Sequence, residues 1–283
     1  MASPEFVETY RGHVPAWHCD TVEHFTVAYY FERLERVTAR FLSAHGIPFV
    51  GRDAPRSTEF YVRYSRELRA SAGFYVESCV LAHDGPRLRL GHRIVDVQDG
   101  AVCTTVEQTL EGAALESLRA DVAGTWDGPD RDERVVPSTG VGWVRSVTDV
   151  LLPDDTDIDG VMRLSAYIHR FSGSGNHLMT EFGWTAAYEN EQRIGFSTFE
   201  FQLLIEVPPR LGDAIDGRAC VARIGNSSVH IVHQLMDAST QRVVATLHQL
   251  GVHLDKDARR PSAIPAPIRD AVAQFNATGA DHS

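Results

Sequence analysis

Apolar residues recur at three- and four-residue intervals along the stretch Val27, Tyr30, Phe31, Leu34, Val37, Phe41 and Leu42. That spacing lays one continuous stripe along an α-helix and predicts a helix with a single buried face. Gly46 and Pro48 end it. A second stripe runs through Val161, Leu164, Tyr167, Ile168 and Phe171, after which Gly173 and Gly175 interrupt the pattern and leave its continuation from Trp184 to Tyr188 open. The two stripes belong to an internal repeat. Asp20 and Asp157 are 137 residues apart, as are Tyr30 and Tyr167, so in both copies an Asp is followed ten residues later by a Tyr in the first turns of the helix.

Each helical stripe is followed by short, β-branched and aromatic runs bounded by turn residues. In the first half these predict strands near 60–64, 74–82, 88–97 and 102–110, with turns at His83-Asp84-Gly85-Pro86 and Gln98-Asp99-Gly100. In the second half they fall near 195–207, 218–224, 229–236 and 242–254, with turns at Gly225-Asn226-Ser227 and Ala238-Ser239-Thr240-Gln241. The order is strand, helix and antiparallel meander, twice over. A long helix with one apolar face and an antiparallel sheet with one apolar face can cover each other, so the predicted class is α+β, two tandem hotdog domains in which each sheet wraps its helix. Edge-to-edge pairing of the two sheets would protect their edge strands and predicts a pseudo-dimer within one chain. The expected boundaries are 1–120 for the first domain, 121–138 for a linker rich in Gly, Asp and Arg, 139–260 for the second domain, and 261–283 for a tail that is partly helical or disordered.

Composition agrees with this division. A chain of 283 residues is twice the usual domain length of roughly 150, and 43% hydrophobic with 23% charged residues is the balance of a globular protein. A net charge of -11 opposes nonspecific attraction to nucleic acid or an anionic membrane, so neither is an expected partner. No apolar run approaches the ~20 residues of a membrane span, and the first residues, Met-Ala-Ser-Pro-Glu, do not read as a signal peptide. The expected location is cytoplasmic. Cys19, Cys79, Cys103 and Cys220 are widely spaced, which favours reduced, buried thiols over a zinc site. His230 and His233 fall on opposite faces of a strand, and the remaining histidines lack metal-ligand spacing, so no metal and no cofactor is expected. The Gly173-Ser174-Gly175-Asn176 run lacks the Lys and helix of a phosphate-binding loop and reads as a flexible turn.

The stretch from Tyr10 to Asp20, ending Trp17-His18-Cys19-Asp20 and followed by Thr21-Val22-Glu23-His24, resembles the opening motif of the thioesterase-like hotdog superfamily, which includes the 4-hydroxybenzoyl-CoA and betainyl-CoA thioesterases. Asp20, His24 and Tyr30 match the pattern, whereas Glu23 stands where Gly is usual and Thr26 where Asn is usual. Tyr64-Ser65-Arg66-Glu67-Leu68-Arg69-Ala70 resembles a further family element, with Ser71-Ala72 in place of Gly-Asp; the second half carries Gly212-Asp213 after Pro208-Pro209-Arg210-Leu211. Gly251 to Asp255 is similar to the end of the betainyl-CoA type.

The resemblance implies hydrolysis of an acyl-CoA or an acyl carrier protein thioester by an Asp at the start of the hotdog helix, acting as base or nucleophile while backbone N–H groups polarise the carbonyl. Asp20 is the leading candidate and Asp157 its counterpart, although Val161 stands where the first copy has His24. Asp20-Thr21-Val22-Glu23 also has the spacing of a helix capping box. His24, four residues beyond Asp20, would share its side of a helix and serve the water, the leaving thiolate or the acyl group. Trp17, Phe25 and Tyr29 are candidates to line an acyl pocket, or to cage a quaternary ammonium. Tyr30 is a candidate contact as well as a core residue at helical spacing. Arg66, Arg69 and Arg210 are candidates to meet coenzyme A phosphates. The competing functions are a hotdog enoyl-thioester hydratase or dehydratase using an Asp–His pair, and a non-catalytic acyl-CoA-binding protein. Pairing into a homodimer of pseudo-dimers is a further possibility.

Overall fold

The computed structural model describes residues 6–123, 125–279 and 281–282. The chain divides into two compact units, one made of 1–131 with 157–165 and the other of 132–156 with 166–283. Each unit carries five long antiparallel strands and one 18-residue helix, giving two hotdog domains in tandem; in the second, the short strands Arg260–Pro261 and Asp281–His282 add to the sheet.

In the first unit the elements are β1 (Val7–His13), α1 (Val27–Ala44), β2 (Arg56–Tyr64), β3 (Gly73–Asp84), β4 (Arg87–Asp96) and β5 (Val102–Glu111). The sheet order is β1-β3-β4-β5-β2. Only β3, β4 and β5 form a meander; β2 pairs with β5 and not with its successor β3. The chain therefore crosses the end of the sheet between β2 and β3 through residues 65–72, and the N–H groups of Ser65 and Arg66 donate to the Cys103 carbonyl at the start of that crossing. In the second unit β6 (Trp143–Val150), α2 (Leu164–Glu181), α3 (Ala186–Gln192), β7 (Ile194–Ile205), β8 (Ala214–Ile224), β9 (Ser228–Asp237), β10 (Val243–Asp255) and α4 (Ala266–Thr278) repeat the plan, with sheet order β7-β10-β9-β8-β6. Both long helices have 18 residues.

Apolar packing follows the stripes. Tyr30 and Val37 of α1 meet Phe74, Val76, Ile94 and Cys103 of the sheet, and one turn farther on Phe41 and Leu42 meet Val80, Leu88, Leu90 and Leu110. Between these clusters runs a buried polar layer. Ser78 Oγ lies 2.7 Å from Thr9 Oγ1 and 2.8 Å from His92 Nδ1; His92 Nε2 is 3.0 Å from Gln108 Oε1, which also accepts from Thr38 Oγ1; and Gln108 Nε2 donates to Ser57 Oγ. An amide oxygen can only accept, so His92 carries its proton on Nε2. The second unit repeats the chain as Ser146, Ser174, His233, Gln249 and Thr198. Burial drives both imidazoles toward the neutral form, holding His92 at about 4 and His233 at about 3.

One expectation changes at this level. Gly173-Ser174-Gly175-Asn176 is not a turn but the middle of α2. Ser174 is buried with its hydroxyl 3.0 Å from His233 Nδ1, and a Cβ on Gly175 would lie 3.4 Å from His233 Cε1. Small residues thus let the helix sit close on β9. Within α4, Ile268 and Val272 are buried against Val221 and Ile231. Among the described residues, no helix is long and apolar enough to cross a membrane.

Candidate active site

Asp20 lies in a tight turn ahead of α1. Its Oδ1 accepts from the N–H of Val22 at 2.9 Å and of His24 at 3.0 Å. Its own N–H donates to the His24 carbonyl, and the Glu23 N–H donates to the Asp20 carbonyl. The helix begins only at Val27, with Thr26 in the capping position and no side-chain cap. The capping-box geometry is therefore replaced: Asp20 closes an independent turn, and Glu23 turns outward to pair with Arg69. His24 is likewise brought near Asp20 by the turn and not by a helical period.

Glu23 has a left-handed backbone with φ of 65°. That conformation favours Gly because an L side chain crowds its own carbonyl, which is the physical meaning of Gly at this point of the motif. Ser71 is a second such case, with φ of 70°. Its N–H donates to the Val14 carbonyl, while the Val14 N–H donates to Ala72. These bonds seat the crossing loop beside the Asp20 turn, helped by the Phe25 N–H, which donates to the Leu68 carbonyl at 2.7 Å.

The crossing loop delivers a residue not singled out by the sequence. Glu67 Oε1 lies 2.7 Å from His24 Nε2, whose ring is mostly buried. A carboxylate accepts, so His24 carries a proton on Nε2 and donates it to Glu67. Asp20, His24 and Glu67 form one constellation on two adjacent loops.

Aromatic residues continue inward from it. The His18 and Tyr29 rings stack with centroids 3.6 Å apart, Phe25 and Tyr30 are 4.5 Å apart, and Tyr30 meets Tyr64 at 5.3 Å. Arg33 Nη2 donates to His18 Nδ1, and burial, followed by the Arg33 charge, lowers the His18 pKa. Cys19 is held above the usual thiol range by burial and then by the neighbouring Asp20 charge. Tyr30 is buried in the core with its phenol pushed up by desolvation. Phe25 is buried and Tyr29 half-buried, whereas Trp17 is 79% exposed and meets only the edge of His18 among the ring contacts of the described residues. Arg66 pairs with Asp99 at 2.5 Å and lies 3.7 Å from Asp96, which occupies its guanidinium within the loop. Arg210 belongs to the second unit, where its N–H donates to Asp213 at 2.8 Å.

The turn at Asp157 reproduces the first in its backbone. Asp157 Oδ1 accepts from the N–H of Asp159 and of Val161, each at 2.9 Å. Asp157 N–H donates to the Val161 carbonyl and Gly160 N–H to the Asp157 carbonyl. Gly160, with φ of 70°, takes the place of Glu23. The side chains differ: Val161 is buried where His24 stood, and Asp157 Oδ2 accepts from Arg56 Nη1 at 3.2 Å. Asp159, Arg56 and Glu35 are further participants that the linear sequence did not indicate, because they lie far apart along it.

The family model of the thioesterase-like superfamily matches residues 14–125 and again 151–272. Two copies covering most of the chain place it in that superfamily, and it is a thioesterase. No curated protein matches the chain in sequence. Among solved structures it is similar to an acyl-ACP thioesterase from Bacteroides thetaiotaomicron, at 13% identity and a TM-score of 0.63 over 87% of this chain and 98% of that one. It is similar also to the 12:0-ACP thioesterase of Umbellularia californica, at 12% identity and a TM-score of 0.64 over 91% and 94%. An acyl-CoA thioesterase II from Mycobacterium marinum matches at 11% identity and a TM-score of 0.51 over 89% and 94%. At such identities the likeness is one of fold.

Proposed function

We propose that the protein hydrolyses the thioester of an acyl-CoA or an acyl carrier protein, with Asp20 as the general base, His24 as its partner and Glu67 orienting His24. The observation that carries the reading is the convergence of Asp20, His24 and Glu67 on two adjoining loops. In this mechanism Asp20 takes a proton from water as the hydroxide adds to the thioester carbonyl. The N-terminus of α1 at Val27 presents backbone N–H groups of the kind suited to a developing oxyanion. Collapse of the tetrahedral intermediate breaks the carbon–sulfur bond, and the released thiolate is protonated to the free thiol while the acid leaves. The apolar cluster of Phe25, Tyr29, Tyr30 and Leu68 adjoining the turn favours an acyl or aryl group over a strongly polar one.

The experiment is free-thiol release from short, long, aromatic and betainyl acyl-CoAs and from acyl carrier protein thioesters. Turnover of any of these supports the reading. Consumption of an enoyl-CoA without thiol release would replace it with hydration, and binding without turnover across the panel would replace it with a carrier or sensor role.

A further inference from the structure

We infer, on the reading of Asp20 as the hydrolytic carboxylate, that Arg33 and His18 form an anion site beside the Asp20 turn that receives a carboxylate at the far end of the acyl group, so that the favoured thioesters are those of dicarboxylic acids.

The two copies of the repeat differ at this point. Arg33 and Arg170 are 137 positions apart, as are His18 and Asp155, and Gly12 and Asp149. Both arginine side chains are almost wholly buried, 11% and 10% exposed, and the Nε–H of each is buried without a partner among the described residues, so what sets them apart is the acids they meet. In the second unit Arg170 is held by two carboxylates, with Asp155 Oδ1 at 2.9 Å from Nη1 and Asp149 Oδ2 at 2.8 Å from Nη2. In the first unit His18 and Gly12 stand in their places. Arg33 is left with Glu32 Oε1, 2.6 Å from Nη1 and shared with Arg36 at 3.4 Å, and with His18 Nδ1, 3.3 Å from Nη2. Two guanidinium groups thus share one carboxylate, and a mostly buried positive charge gains from a further anion.

His18 adds a second donor. A guanidinium can only donate, so Nδ1 accepts and the proton of His18 is on Nε2. That N–H meets no acceptor among the described residues, and stacking on Tyr29 fixes the ring. Burial, followed by the Arg33 charge, lowers the His18 pKa, so at neutral pH the ring offers a hydrogen bond without a charge of its own.

The position of the pair indicates which anion it meets. His18 belongs to the short ladder that frames the turn: the Thr26 N–H donates to its carbonyl, Cys19 bridges to Phe25, and the Asp20 N–H donates to the His24 carbonyl. Cys19 between them is extended, so about 7 Å of chain separates His18 from Asp20. That is the scale of a short linear diacid and far less than the length of a pantetheine arm, which favours an acid on the acyl group over a coenzyme A phosphate. Phe25 and Tyr29 offer apolar surface to the chain between thioester and acid, and Arg33 meets its charged end.

The test measures thiol release from succinyl-, glutaryl- and adipyl-CoA beside butyryl-, valeryl- and hexanoyl-CoA, by wild type, Arg33→Met and His18→Asp; the last gives Arg33 an internal partner like that of Arg170. In wild type the best diacid is expected to exceed its uncharged counterpart in kcat/KM by about tenfold or more, and both variants are expected to lower that ratio by about tenfold or more. A wild type that prefers the uncharged member throughout, or folded variants that keep the ratio, would overturn the site. Glutaryl and valeryl N-acetylcysteamine, which carry no phosphate, separate the two sources of negative charge: the same preference and the same losses support an acid on the acyl group, whereas their disappearance assigns Arg33 to a phosphate and contradicts the inference. Should Arg33→Met fail to fold, His18→Asp decides alone. Failure of the thioesterase reading shows separately, as a wild type that releases no thiol from any thioester; free glutarate then tests the site, with a larger rise in Tm expected for wild type than for His18→Asp and equal shifts refuting it.

Discussion

Glu67 Oε1 lies 2.7 Å from His24 Nε2 although 43 positions separate the two residues. The contact exists because β2 pairs with β5, which sends the chain across the end of the sheet and under the Asp20 turn. If this pairing sets the imidazole's tautomer, Glu67→Gln keeps a hydrogen-bonding group yet no longer enforces a donor on Nε2. Turnover is expected to fall on the order of tenfold with KM little changed, and His24→Ala by about 10²-fold or more. Equal activity of Glu67→Gln and wild type across pH 6 to 9 would remove Glu67 from the site.

Acid should unfold the protein through its buried histidines. Burial holds His92, His230 and His248 at about 4 and His233 at about 3, against an unfolded value of about 6.5. Because the folded pKa values are depressed, the stability they sustain is complete above pH ~6.5 and is lost as pH falls toward the folded values. Each contributes a slope of at most about 1.4 kcal/mol per pH unit over that window. Urea midpoints measured from pH 7.5 to 4.5 should drop steeply, and His92→Asn should flatten the curve. A flat profile down to pH 4.5 would contradict the neutral buried relay.

Gly173 lies in the middle of α2 with nothing within 4 Å of the Cβ it would carry. Gly173→Ala is expected to stabilise the protein by roughly 0.5–1 kcal/mol through helix propensity alone, read as a raised Tm. Gly175 is different, since its Cβ would meet His233 at 3.4 Å; Gly175→Leu should destabilise by overpacking against β9.

The paired turns make a reciprocal prediction. Ser71, at φ of 70°, and Gly212, at φ of 88°, occupy matching places after β2 and β7. Ser71→Gly should be neutral or stabilising by up to about 1 kcal/mol, and Gly212→Ala destabilising by about 1 to 2 kcal/mol. Denaturant midpoints of the two variants moving in the same direction would contradict the conformational argument.

The repeat made much of this legible in advance. Val27 and Leu164, 137 positions apart like the two Asp residues, open helices of equal length, and all eight anticipated strands are present because alternation and turn residues are local signals. What was not legible depends on tertiary approach. Gly173 to Asn176 read as a break because helix propensity is local, whereas packing of Ser174 and Gly175 on His233 makes small residues the requirement there. The β2–β5 pairing has no signature in the order of strands, and so Glu67 went unselected. Asp157 shares the backbone turn of Asp20, and the buried Val161 stands where the first copy has His24.

The most direct test of the central claim is single-turnover thiol release by wild type and Asp20→Asn on the best substrate of the panel, with folding checked by thermal unfolding. The account predicts that Asp20→Asn folds normally and loses at least about 10²-fold in the hydrolytic rate. An Asp20→Asn variant that hydrolyses the substrate at the wild-type rate would contradict it.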